Sequence, residues 1–362
     1  MALVPAYIKR LTPYKSGKSA EEVAQELGLK RVIKLASNEN PLGPSPKALA
    51  AAQRAMEEGH RYPDQASHDL RAALAERFDL KIDNVITGAG SEGVMSAIMR
   101  TFLLDDDELI SAKGSFIGFR VLADASGRTT HWVPMQDYRY DLESMADAVN
   151  DYTKIIYLAN PDNPTGTYFT VPEFDAFMER VPERVLVILD EAYFEYAREK
   201  DDYPDSMHYR YDNVITLRTF SKVYGLAGLR VGYGFAHDEL IGNLLKVKLP
   251  FEPSRPAQIA ALAALEDEGH LAKSIQNNRE GKPLLEEAFQ RLGLETIPSA
   301  ANFVTIKLPD EESAVNLADG LLQRGIIVRH LAAFDWPNLI RVTVGLPEEN
   351  EFLISNLEGL LP

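Results

Sequence analysis

The sequence predicts an α/β protein in which a large domain, with a mostly parallel sheet sandwiched by helices, is joined to a smaller α+β domain. Three observations predict it. Between about residues 45 and 250, short apolar runs alternate with helical patterns, the signature of βαβ units around a buried sheet. Four of those runs end in unusual polar residues, where an open α/β sheet presents ligands at the carboxyl ends of its strands. After residue 250 the texture changes, with Pro250, Pro253 and Pro256 ahead of a long helical stretch.

A length of 362 residues fits two domains at roughly 150 residues each. The apolar runs are 84–87, 108–111, 154–159, 185–189, 214–217 and 232–235. Between them, Leu70, Ala73, Leu74 and Phe78 recur at helical intervals over 69–78, with Ser67 placed to cap that helix. Beyond the prolines, a helical stretch covers 257–292. Strands at 302–307, 326–330 and 339–344 then flank a helix over 311–324. The first 35 residues read as an arm or as part of the smaller unit, so the expected division is 1–35, 36–255 and 256–362.

Composition excludes several function classes. The chain is 45% hydrophobic and 25% charged, as soluble proteins are, and no run approaches the roughly 18 apolar residues of a membrane span. It has no cysteine, which removes disulfides, thiolate metal sites and cysteine nucleophiles; no metal site is expected. The N-terminal segment lacks an apolar signal core, so the cytoplasm is the expected location. A net charge of −16 without any Lys/Arg-rich run argues against nucleic acid as a partner.

Chemistry is concentrated after the four runs. The first is followed by Gly88-Ala89-Gly90-Ser91-Glu92-Gly93 and a helical pattern. This matches the dinucleotide fingerprint, but Asp105, Asp106 and Asp107 precede the next strand where the fingerprint needs an acid after it. A phosphate at a helix start survives as a reading, beside a plain glycine turn. The run 154–159 leads into Asn160-Pro161-Asp162-Asn163-Pro164-Thr165-Gly166, a rigid turn suited to holding an asparagine side chain in the site. Asp190 ends the run 185–189, where its desolvation calls for a facing cation, although helix capping is an equal explanation for it alone. Tyr193 follows three residues later. The run 214–217 leads into Arg218-Thr219-Phe220-Ser221-Lys222, with glycines and Arg230 beyond. A lysine in such a place becomes a nucleophile when its surroundings lower its pKa, with a Schiff base as the usual outcome. A carbonyl for the lysine, a ring nitrogen for the aspartate, a ring hydroxyl and a phosphate are together the features of pyridoxal phosphate.

These segments resemble the histidinol-phosphate aminotransferase family of fold-type-I pyridoxal-phosphate aminotransferases. The resemblance runs from Leu11-Thr12-Pro13-Tyr14 through Ser37-Asn38-Glu39-Asn40-Pro41 and Arg61-Tyr62-Pro63-Asp64 to Ile340-Arg341-Val342-Thr343-Val344-Gly345. It implies a seven-stranded-type sheet and a homodimer with shared sites. Lys222 would carry the cofactor as the internal aldimine and afterwards move protons. Asp190 would keep the ring nitrogen protonated, Asn163 and Tyr193 would bind the ring hydroxyl, and Phe116 would stack on the ring. Thr219, Ser221, Arg230 and the backbone at Gly90 and Ser91 would complete the cofactor site, joined by Tyr62 from the partner subunit. Tyr14, Asn38, Asn163, Arg329 and Arg341 would bind substrate.

Spacing adds one argument about the two arginines. Positions 329 and 341 are equidistant from Asp335, so antiparallel pairing about that loop would set Arg329 opposite Arg341. Like charges facing each other destabilise a sheet, and an anion between them resolves this. The expected activity is ping-pong amino transfer from L-histidinol phosphate to 2-oxoglutarate, giving imidazole-acetol phosphate and L-glutamate in histidine biosynthesis. An aromatic amino-acid transaminase on the same frame is the alternative, and a pyridoxal-phosphate lyase or decarboxylase a more distant one. The run Phe251-Glu252-Pro253-Ser254 departs from the family pattern where it could line the substrate pocket.

Overall fold

The computed structural model describes residues 3–13, 17–209 and 211–361. After a short strand, Ile33–Lys34 (β1), the chain builds its main sheet from seven strands. They are Val85–Gly88 (β2), Glu108–Ala112 (β3), Thr130–Val133 (β4), Thr153–Ala159 (β5), Leu186–Asp190 (β6), Val214–Thr219 (β7) and Gly232–Phe235 (β8). Their order across the sheet is β2-β8-β7-β6-β5-β3-β4. Only β8 runs against its neighbours. The five-residue C-terminal stretch of β5 explains why the sheet forms. Ile155, Tyr157 and Ala159 enter one apolar core while Ile156 and Leu158 enter the core on the opposite face. A strand buried on both faces loses the apolar–polar alternation and reads as a continuous apolar run.

A second sheet of four strands combines Glu295–Ile297 (β9), Phe303–Lys307 (β10), Arg329–His330 (β12) and Leu339–Thr343 (β13) in the order β12-β13-β10-β9, with Ile326–Ile327 (β11) outside it. The expected strand 326–330 is therefore two strands. Residues 326–327 pair in parallel with β1, and the chain then changes sheet so that 329–330 pair with β13. Ile340, Val342 and Val344 face the core of this smaller unit.

Four other expectations need correction. The half-exposed strand β4 and the three-residue β9 were not expected, because neither carries a long apolar run. The stretch 257–292 is two helices, Arg255–Leu265 and Glu268–Arg291. The break comes at Asp267, whose carboxylate caps the second helix and accepts a hydrogen bond from Ser45 at 2.6 Å. Ser67 has φ 48° and makes no side-chain cap for His68–Arg77. Asp64 serves instead, accepting from the backbone N–H of His68 at 2.7 Å.

Behind the rim of the main sheet lies a buried ion pair. Arg218, on β7, is fully buried and donates from Nε and Nη2 to Glu191 at 2.9 and 2.7 Å, and from Nη2 to Asp205 at 2.9 Å. Its guanidinium also lies 3.3 Å from the Phe194 ring centroid. Removing one member of such a pair strands the other charge in a dry interior. Arg218→Met is expected to destabilise the protein by about 3–5 kcal/mol, read as a lower urea midpoint. An unchanged midpoint would show that Glu191 tolerates the loss of its partner.

Candidate active site

The carboxyl ends of β5, β6 and β7 and the turn after β2 open onto a cavity of about 250 Å³. Ser91, Phe116, Asn163, Asp190, Tyr193, Thr219, Ser221, Lys222 and Arg230 all line it. These residues are scattered over some 140 positions of sequence, and the topology gathers them because the parallel strands end on one edge. Arg230 joins from the opposite direction, just ahead of the antiparallel strand β8.

Lys222 follows β7, and its Nζ donates to the backbone carbonyl of Ser37 at 3.4 Å and lies 5.7 Å from the Tyr193 ring centroid. Burial, aided by the positive charges of Arg341 and Arg230 and opposed by Glu39, pushes its ammonium down to about 8. Only the unprotonated amine is a nucleophile. Modification of Lys222 in cofactor-free protein by an amine-directed reagent should therefore rise with pH and level off above about 8. A rate still climbing at pH 10 would mean an ordinary surface lysine.

Asp190 ends β6. Its Oδ2 accepts from the Tyr157 hydroxyl at 2.9 Å, while Oδ1 is buried without a hydrogen-bond partner. Burial pushes its carboxyl up to about 6, a cost that a cation placed against Oδ1 would remove. Tyr157 is itself fixed by stacking on Phe119, with ring centroids 4.1 Å apart. A protonated heterocycle in the cavity fits this unfilled acceptor.

Asn163 projects from the rigid turn after β5 and accepts from Nη1 of Arg341, whose Nη2 donates to the carbonyl of Ala36 at 2.8 Å. Tyr193 receives a hydrogen bond from Nδ2 of Asn38 at 2.8 Å, and burial pushes its phenol up to about 12. Asn38 itself is buried behind Tyr193 rather than lining the cavity, tied at its backbone N–H to Thr343 Oγ1 at 2.9 Å.

At the other end, Gly90 opens the helix Gly90–Phe102 with φ 74°, and a Cβ on it would sit 2.6 Å from a guanidinium nitrogen of Arg230. A Cβ on Gly232 would sit 2.4 Å from the Ser91 nitrogen. Arg230 donates to Ser221 Oγ at 3.3 Å and to Glu92 at 3.2 Å, and Thr219 Oγ1 accepts from the Ser221 N–H at 3.1 Å. A helix N-terminus, two hydroxyls and a guanidinium together suit a phosphate.

The remaining expected residues do not line this cavity. Arg329 and Arg341 are direct cross-strand partners on β12 and β13. Tyr62 is 77% exposed and stacks on Phe251 with centroids 4.2 Å apart, away from the cavity of its own chain. Phe251 stacks on Tyr62 and does not line this cavity of its own chain. Tyr14 lies outside the described residues. Sequence reasoning passed over Tyr157, Glu39 and Glu92, all of which line the cavity. A tyrosine in an otherwise aliphatic strand was the available signal for the first.

Residues 30–357 match the family model of aminotransferase class I and II. The chain is 43% identical to a histidinol-phosphate aminotransferase of Anaeromyxobacter sp. (strain Fw109-5), covering all of both chains. It is also 43% identical to histidinol-phosphate aminotransferase 2 of Carboxydothermus hydrogenoformans, covering 99% of each. Among solved structures, it superposes on the histidinol-phosphate aminotransferase of Sinorhizobium meliloti in complex with pyridoxal-5'-phosphate. The TM-score is 0.91 at 30% identity, covering 99% of this chain and 98% of that one. An aspartate aminotransferase of Thermus thermophilus has the same fold, with TM-score 0.83 at 23% identity over 99% of this chain and 98% of that one.

Proposed function

We propose that this chain, which belongs to the histidinol-phosphate aminotransferase family within the class I and II aminotransferases, transfers the amino group of L-histidinol phosphate to 2-oxoglutarate in histidine biosynthesis. The observation that carries the reading is that the amine of Lys222 and the unpartnered Oδ1 of Asp190 open onto one cavity. Bound pyridoxal phosphate supplies a carbonyl that takes up the amino group and a protonated ring that draws electrons from the substrate carbon.

The chain's residues do the rest. Asp190 holds the ring nitrogen charged, and Tyr157 fixes that carboxylate through its other oxygen. Asn163 and Tyr193 orient the ring hydroxyl, Phe116 covers the ring face, and the backbone at Gly90 and Ser91 with Thr219, Ser221 and Arg230 grips the phosphate. Lys222, with its proton affinity brought near neutrality, moves a proton to and from the substrate carbon. Arg329 and Arg341, facing across one strand pair, bind the donor's phosphate, a dianion that suits two guanidiniums. Asn38, by fixing Tyr193, supports the substrate side, and Tyr14 would approach from the arm.

The reading includes a cytoplasmic homodimer. It is supported by exposed apolar side chains that a single chain leaves in water. Leu49 and Met56 lie two turns apart on the helix Pro46–Met56, and the stacked pair Tyr62–Phe251 is also exposed. Tyr62 would then complete the partner's cofactor site. The reading also keeps an arm of 1–35, a large cofactor domain from 36 and a smaller C-terminal domain, with the boundary expected at 255 moved to the end of the next helix. It carries the helix Arg255–Leu265 with the large unit, because Ala257, Ala260, Ala261 and Ala264 pack into that unit's core.

The test is an absorbance titration of purified holoenzyme. Histidinol phosphate should bleach the visible cofactor band, and 2-oxoglutarate should restore it. Failure of 2-oxoglutarate to restore the band would favour the lyase. Faster bleaching by phenylalanine than by histidinol phosphate would favour the aromatic transaminase.

A further inference from the structure

The connection between the two arginine strands does not stay with its own sheet. Residues 331–338 carry Phe334, Asp335 and Trp336 across to the main sheet. The indole N–H of Trp336 donates to the carbonyl of Gly114 at 3.0 Å. Gly114 has φ 84°, and a Cβ on it would lie 2.4 Å from the indole nitrogen, so the approach requires glycine. Asp335 accepts from Arg120 at 2.9 Å, and Trp336 packs against Tyr138 with centroids 5.1 Å apart. The guanidinium carbons of Arg329 and Arg341 lie 6.0 and 5.9 Å from the Phe334 ring centroid in the same connection.

A second set of contacts starts one residue further on. Ser115 Oγ donates to Oδ1 of Asp162 at 2.5 Å. This leaves the Tyr140 hydroxyl, 2.7 Å away, to donate to Ser115 while it accepts from the Ala159 N–H at 3.0 Å. Asp162 is fully buried, and its Oδ2 accepts from Thr165 Oγ1 at 2.9 Å. A carboxylate buried among hydroxyls and N–H groups, with no cation on it, is costly to place there. The bonds it makes join two turns. Ser115 precedes Phe116, and Asp162 precedes Asn163, which closes on Arg341.

Followed around, the contacts form a ring: Arg341 to Asn163, Asp162 to Ser115, Gly114 to Trp336, and back along the connection to Arg341. We propose that Trp336 and Asp162 are positioning residues that close this ring, registering the anion-facing arginine pair to Phe116 and Asn163. The donor is then held by its phosphate at a fixed distance from the cofactor ring, without either residue touching donor or cofactor. This rests on the proposed function for the identity of the donor.

The experiment compares holoenzyme carrying Trp336→Phe, Asp162→Asn or both with the unaltered protein. Each single change should lower kcat/KM for histidinol phosphate by roughly tenfold, mostly through KM, since small misplacement of a bound donor has effects of this size or larger. The resting cofactor absorbance should not change, because Trp336 does not line the cavity. Amide hydrogen exchange over 112–118 should quicken in both single variants, a readout that needs no turnover. The double variant should lose less than the product of the two singles, because either change already opens the ring. Unchanged kcat/KM, unchanged exchange, or losses that multiply fully would each overturn the proposal. Should Asp162→Asn fail to fold, Ser115→Ala breaks the same bond. Glutamate, the donor of the reverse half-reaction, would set a carboxylate against the same two arginines, so its kcat/KM reads the ring as well, and unaltered protein inactive on histidinol phosphate counts against the proposed function alone.

Discussion

Lys222→Ala is expected to keep its fold and lose at least roughly 10³-fold in turnover, because the change removes both nucleophile and proton carrier. The side chain contributes little to stability, since its hydrogen bond to Ser37 is long at 3.4 Å. The sign of the pH effect follows from the depressed proton affinity. Between about 8 and the ordinary value of 10.5 the unfolded chain binds more protons than the folded one, so Lys222 favours folding more as pH rises there. Below about 8 its full penalty applies. Cofactor-free Lys222→Ala should therefore melt no lower than the unaltered protein at pH 7, while transamination by the reloaded variant disappears. Residual turnover within tenfold of the original would end the assignment of Lys222.

Asp190→Asn is the second large effect. With cofactor saturating, kcat should fall by roughly 10²–10³-fold, the scale on which a preorganised charge stabilises a transition state. Stability should move in opposite directions with and without cofactor. In cofactor-free protein the carboxyl is pushed up to about 6 from 3.8, so above about 6 the buried charge opposes folding, and the amide relieves it. In the loaded protein the carboxylate has a cation to face, and replacing it should lower the melting temperature. Thermal melts of both forms at pH 7.5 check this. A variant that melts lower in both states would mean that Asp190 serves the fold through Tyr157 and not the ring.

Much of this was legible because the site lies where strands end. Six of the seven main strands were readable as apolar runs, since burial on both faces favours apolar residues over most of each run. The residues following those runs were conspicuous because glycine, proline, aspartate and lysine are out of place beside a buried sheet. Thr130–Val133 escaped because an edge strand with three half-exposed residues carries no such pattern. The Arg329–Arg341 pairing followed from symmetry about Asp335 even though the strand before it was drawn too long. Tyr157 stood out as the one tyrosine in an otherwise aliphatic strand, but that its hydroxyl turns toward Asp190 is fixed by tertiary structure. The fate of Phe251 was not legible at all, because its ring stacks on Tyr62, remote in sequence.

The reversed direction of β8 has a further consequence. Where neighbouring strands run the same way, the chain must travel the length of the sheet before it can contribute a second residue to the same rim. Here β7 arrives at the rim and β8 departs from it, so Lys222 and Arg230 occupy a single short excursion of the backbone. On the proposed reading, the lysine that would tether the cofactor and the arginine that would clamp its phosphate are thus hinged together. Protection of that one excursion from protease should therefore report on both contacts together.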